Sequence, residues 1–159
     1  MTDSARQPRT PAEWSRKAVT IDGWAWAAGM LTQHVERVVA VAKDGRLLVV
    51  DGQHGPSDPL DCDPRWVRPD DGGPRYPDLT DDPTVGALLR LARERMGEPL
   101  LHFRPWTEEA GFIERPVDHG EAHEWLRVDG TWGEGSAAPI EADEVGALVM
   151  VLQAAAARR

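Results

Sequence analysis

The residues whose spacing suggests chemistry most directly are Asp118-His119-Gly120-Glu121-Ala122-His123-Glu124. If this stretch is a β-strand, His119, Glu121 and His123 project from one face at period two. Two imidazoles and a carboxylate are a ligand set for Zn²⁺ or Fe²⁺. A catalytic metal also needs an open position and groups that orient the imidazoles. A hydrophilic strand edge beside a loop explains the same residues with fewer assumptions and ranks first. The expectation is therefore no cofactor, with Zn or Fe as the alternative.

The other dense group is acidic. Residues 58–82 hold eight aspartates against three arginines. The run Asp58-Pro59-Leu60-Asp61-Cys62-Asp63 has the oxygen density of a calcium loop. It lacks the glycine at position six and the glutamate at position twelve of an EF-hand. Asp58, Asp61, Asp63, Asp70, Asp71 and Asp78 are instead candidates for contacting another protein, by imitating a phosphate backbone. A solubilising loop is the plainer reading. Seven tryptophans is a high number for 159 residues. Most should be core, and Trp106 and Trp132, which adjoin loops, are the candidate exposed anchors of an interface. Cys62 is the one cysteine, so no intrachain disulfide forms and a reducing compartment is favoured. Flanking carboxylates disfavour its thiolate, which a nucleophile needs. No G-x-S-x-G, Walker A or G-x-G-x-x-G motif occurs, and no catalytic residue is assigned.

Charge narrows the partners. The formal net charge is −9. Residues 1–43 carry 6 basic and 4 acidic groups, residues 44–82 carry 4 and 10, and residues 83–159 carry 8 and 13. Phosphate backbones should be repelled, so direct nucleic-acid binding is not expected. The N-terminal residues Met1–Thr10 lack the apolar core of a signal peptide, and no stretch approaches the ~20 apolar residues of a membrane span. The expectation is no membrane contact and a cytoplasmic location. Two lysines against sixteen arginines fit a GC-rich coding bias.

These residues must be positioned by a modest set of elements. Residues 1–10 read as a flexible tail, and 11–159 as one domain. Thr10-Pro11-Ala12-Glu13 is a capping box with proline at the first helical position, opening a helix that ends by Thr20. Trp24 and Trp26 alternate as on a strand. Val35–Ala42, Lys43-Asp44-Gly45 and Arg46–Val50 form a hairpin with both faces partly covered. Residues 51–81 are an acidic, Pro/Gly-rich loop with one short strand near Arg65–Arg68. Asp82–Met96 is an amphipathic helix, capped by Thr80 or Asp81 and stopped by Gly97. Its expected apolar stripe is Val85, Leu88, Leu89, Ala92 and Met96. Pro99–Trp106 is a strand, and residues 107–119 a loop with a short strand at Phe112-Ile113. Glu121–Val128 is a strand that turns at Asp129-Gly130 into a return near Trp132. Residues 142–157 form a second helix with the stripe Val145, Leu148, Val149, Leu152 and Ala156. The expected fold is α+β: a mainly antiparallel sheet of five or six strands, with the helices at 82–96 and 142–157 on one face and a short N-terminal helix.

Trp24-Ala25-Trp26-Ala27-Ala28-Gly29-Met30 and Pro77-Asp78-Leu79-Thr80-Asp81-Asp82-Pro83-Thr84-Val85-Gly86-Ala87-Leu88-Leu89 resemble a group of small proteins common in phages and prophage regions of GC-rich bacteria. In that group the second segment reads Asp-Leu-Thr-Asp-Pro-Ala-Thr before a leucine-rich helix. This chain has an extra Asp, and Thr84-Val85 after the proline. The Glu141-Ala142 helix start is also similar. The matching segments cover under half the chain. The resemblance implies a phage-linked origin in a bacterial host cell and no assigned activity. The leading expectation is thus a non-enzymatic accessory protein that binds another protein, such as a host nuclease or defence protein inhibited through an acidic surface. The alternatives are a metal-dependent enzyme built on His119, Glu121 and His123, and a structural or assembly component of a phage particle.

Overall fold

The computed structural model describes residues 8, 10–52, 63–108, 110–127, 129–134 and 142–158. Asp58, Asp61, Cys62 and nearly all of the expected N-terminal tail lie outside the described residues. The described residues form an α+β structure of three helices and two antiparallel sheets, and the chain divides into two compact units. One unit spans residues 25–87, the other residues 1–24 and 88–159.

In the unit of residues 25–87, β1 (Glu36–Val41) and β2 (Leu47–Asp51) form the expected hairpin, and β3 (Arg65–Val67) adds to β2. The Gly45 amide donates to the Ala42 carbonyl, and Gly45 takes φ 84°, the left-handed conformation that suits glycine in a tight turn. A register shift between Val38 and Ala40 marks a bulge. Val38, Leu47, Val49 and Val67 form the core cluster, with Trp26 packed against it. One face of the hairpin is buried and the other partly covered, with Leu48 and Val50 half-buried and Val39, Val41 and Trp66 exposed. The expected strand at Trp24–Leu31 is absent among the described residues. There the chain makes turns, including Gly29 at φ 95°, and only Leu31 and Thr32 form isolated bridges. The tryptophan alternation reflects one packing contact by Trp26 rather than an extended backbone.

A buried carboxylate organises the connecting segment. Glu36 is 6% exposed on β1. It accepts from Arg75 Nε at 2.8 Å and from Arg65 Nη2 at 2.5 Å. Arg75 in turn donates to the carbonyls of Arg68 and Asp71, both at 2.8 Å. The Arg75 guanidinium holds the Glu36 carboxyl below the usual carboxylate range against the upward push of burial, and Arg65 adds to the lowering. Residues 63–81 are therefore tied down rather than free. The expected acidic contact surface is altered in the same way. Asp71 accepts the Arg68 amide, and Asp78 accepts from both the amide and hydroxyl of Thr80.

The helix α2 (Asp82–Met96) falls where its caps place it, with Gly97 at φ 66° ending it. Asp81 is the cap. Its Oδ2 accepts from the Thr84 amide at 3.0 Å and the Thr84 hydroxyl at 2.6 Å. Arg37 grips the same carboxylate with both terminal nitrogens, at 2.7 and 3.0 Å. The buried stripe is Thr84, Ala87, Leu88, Leu91 and Ala92, whereas Val85, Leu89 and Met96 are half-buried. The helix is thus rolled about one position from the expected stripe. Part of the reason is that Thr84 is drawn inward, its hydroxyl oxygen accepting the Leu31 amide at 2.7 Å.

In the other unit, β4 (His102–Pro105), β5 (Gly111–Val117), β6 (Ala122–Leu126) and β7 (Trp132–Gly133) form a four-stranded meander. The expected single sheet of five or six strands is therefore two sheets of three and four, because every described strand pairs only with its neighbour in sequence. β5 replaces most of the loop expected at 107–119. Its Pro116 lies beyond the last β4 pair, His102 with Glu114, where β5 has a neighbour on one side only and proline is tolerated. The helix α1 (Pro11–Ala18) carries the full capping box between Thr10 and Glu13. It packs on α3 (Glu144–Ala157), which Asp143 caps and which also contacts β4 and β5. Gly146 lets the Trp14 ring lie against α3, since a Cβ there would meet Trp14 Cζ2 at 2.7 Å. The buried side of α3 is broader than the expected stripe: Ala147, Val151 and Ala155 join Leu148, Val149 and Leu152.

Asp81 yields a direct test. Burial pushes its carboxyl up, but the Arg37 and Thr84 hydrogen bonds outweigh that, and the group lies below the ordinary aspartate range. Its stabilisation is complete above roughly pH 5 and is lost as pH falls through the lowered folded-state value, because the unfolded chain takes up the proton first. Asp81→Ala should cost about 2 kcal/mol near neutral pH in urea denaturation, and the gap to wild type should shrink as pH falls below about 4.

Candidate functional site

Strand alternation sorts the four-stranded sheet into two faces. Ile113 and Leu126, both fully buried, lie on the face that also carries Arg115, Glu124 and Trp132. The opposite face carries His102 and Arg104 from β4, Phe112 and Glu114 from β5, and His123 and Trp125 from β6. Trp106, just past β4, joins it through its ring, 5.6 Å from that of Phe112. Phe112 in turn meets Trp125 edge-on at 5.0 Å. Three aromatic rings thus run across three adjacent strands or their ends, and Trp106 is 72% exposed.

Beside the rings sits a second buried carboxylate. Glu114 is 2% exposed although it points to this open face. Side chains from both neighbouring strands converge on it. His102 Nε2 is 2.6 Å from Oε1, Arg104 Nη1 is 3.4 Å from Oε2, and His123 Nδ1 is 3.7 Å from Oε1. The other nitrogen of His102, Nδ1, lies 3.1 Å from the Leu100 carbonyl oxygen. A carbonyl can only accept, so Nδ1 carries a proton. One further proton must then lie between Nε2 and Oε1, since two lone pairs would otherwise face each other at hydrogen-bond distance. The imidazole is therefore locked at both ends, by a backbone oxygen and by Glu114. His123 Nδ1 is buried, with no hydrogen-bond partner among the described residues.

The expected metal constellation is not assembled. Asp118–Gly120 form a short 3-10 turn, with φ of 50° at Asp118 and 59° at His119. Left-handed backbone cannot continue a strand, so the period-two alignment of His119, Glu121 and His123 is lost. His119 and Glu121 lie exposed in the β5–β6 connection, and only His123 reaches the sheet face. Among the described residues, no group of three or more His, Cys, Asp or Glu side chains is arranged to hold a metal ion. Of the expected protein contacts, Trp106 stands on the open face. Trp132 is on the other face, half-buried under the Arg115 guanidinium, which lies 4.5 Å from its ring centre. Arg115 is also held by Glu98 and Glu124. Asp63, Asp70 and Asp71 are exposed, in the other unit.

His102, Arg104, Phe112, Glu114 and Trp125 escaped the sequence reading as site residues. The alternation of His102 and Arg104 with Leu101 and Phe103 was visible. What could not be seen was that β5 runs seven residues and brings Glu114 opposite His102.

Gly111 ties this geometry to the sequence. A Cβ there would collide with the Arg104 carbonyl oxygen and meet Pro105 Cα at 2.8 Å. The obstructing atoms are backbone, so they cannot swing aside. Gly111→Ala should destabilise the protein by about 1–3 kcal/mol in urea denaturation, and it should shift the indole NMR signal of Trp106. No family model, curated protein or solved structure matches the chain.

Proposed function

We propose that this is a non-enzymatic protein that binds another protein through the open face of its four-stranded sheet. The observation that carries the reading is Trp106, a large aromatic 72% exposed at one end of a run of three touching rings, with Arg104 beside it. Exposing an indole to water is unfavourable, and Trp and Arg dominate the energetic centres of protein interfaces. The best-placed imidazole on this face, His102, has both nitrogens engaged, which leaves neither free for acid–base work. A phage-linked accessory role, as the sequence resemblance implies, is compatible with such a module.

This reading moves the contact from the acidic segment to the aromatic face. Asp71 and Asp78 are occupied with local hydrogen bonds, whereas the Trp106 ring, in contact with Phe112, leaves 72% of the residue exposed. Capture from bacterial lysate with the immobilised full chain compares the two surfaces. Trp106→Ala should remove captured protein, with apparent affinity reduced about thirtyfold. Changing Asp70, Asp71 and Asp78 to Asn should leave recovery unchanged. Loss with the aspartate variant and retention with Trp106→Ala would return the contact to the acidic segment.

A further inference from the structure

The open sheet face lacks the exposed carboxylates that dominate the chain as a whole. Among the strand residues on this face, the one carboxylate is Glu114, whose side chain is 3% exposed and enclosed by its neighbours. Among the described strand residues, the charged or chargeable groups that reach solvent there are Arg104, His102 and His123, with side chains 54%, 40% and 38% exposed. Glu108 and Glu121 are exposed only in the flanking connections. A protein of net charge −9 thus presents an exposed guanidinium, flanked by two imidazoles, on the same surface as the exposed Trp106 ring. We infer that the occupant of this face is an acidic peptide segment of a second protein, one that carries both apolar and carboxylate side chains. The inference rests on the binding role proposed above and names the chemistry of the partner.

Each part of the surface has a counterpart in such a segment. The rings of Trp106, Phe112 and Trp125 take the apolar side chains. Arg104 gives Glu114 a single long hydrogen bond of 3.4 Å and keeps most of its donor fork for an incoming carboxylate. The negative charge elsewhere on the chain does not forbid this. At physiological ionic strength the screening length is about 8 Å, so groups in direct contact decide. A nucleic-acid strand fits less well. Its affinity comes from neutralising several phosphates, and the strand residues on this face offer one arginine and two histidines.

Fluorescence anisotropy of labelled peptides with the full chain tests the inference. The probes are a short peptide of Glu and Leu residues, its Gln-for-Glu counterpart, and single-stranded oligothymidylate. The acidic peptide should bind more tightly than the Gln peptide. Arg104→Gln should weaken it about fivefold, and Trp66→Ala, on the other unit, should leave it unchanged. Equal binding of the Gln peptide, or displacement of the acidic peptide by oligothymidylate, would overturn the inference. If Trp106→Ala abolishes lysate capture but the acidic peptide shows no preference, the partner chemistry is wrong and the binding role stands. If Trp106→Ala leaves capture intact, the binding role itself fails.

Discussion

Each sheet is built around a buried glutamate that must be paired. An ionised carboxylate removed from water is costly unless cations and donors surround it. Glu36 satisfies this with Arg75 and Arg65, and Glu114 with His102 and Arg104. In both cases the partners come from different segments of chain, so meeting the carboxylate's demand also fixes the backbone. Arg75 brings the Arg68–Asp71 turn to β1, and His102 and Arg104 bind β4 across to β5. The consequences differ. At Glu36 the pairing is inward and holds a segment in place. At Glu114 it lies under an open surface, so the covering side chains are the ones a partner would meet.

Short meanders explain why such devices are needed. A sheet of three or four short strands buries few apolar side chains, each contributing about 1.5–3 kcal/mol. The core of the three-stranded sheet is four aliphatic residues and one tryptophan. Polar ties such as the Arg37–Asp81 fork add order where apolar burial is thin. Arg37 and Asp81 are largely enclosed, with side chains 18% and 14% exposed, so solvent screens this pair less than a surface one.

Local chemistry was legible in the sequence, and assembly was not. The Thr10–Glu13 capping box, the Asp44-Gly45 hairpin, the Asp82–Met96 helix and the Asp129-Gly130 turn each follow from a few adjacent residues. The three-stranded and four-stranded division does not, because pairing depends on contacts distant in sequence. Arg65–Val67 was placed as a strand, but not its partner β2. The β5 strand was obscured by Pro116 and by charged residues at 114 and 115, which break the apolar pattern. The alignment of His119 with Glu121 and His123 follows only if the stretch is a strand, and a left-handed turn cannot be read from His-Gly alone. The exposure of Trp106 does follow from its position beside a loop.

Glu114 holds the open face in order through a proton shared with His102. Histidine-selective ¹⁵N NMR of the full chain measures this directly. A proton on His102 Nδ1 is expected, with a second, strongly downfield proton at Nε2. The second should vanish in Glu114→Gln, together with shifts in the Trp106 and Trp125 indole signals. A His102 ring with an unprotonated Nδ1, or one indifferent to the Glu114 substitution, would contradict it.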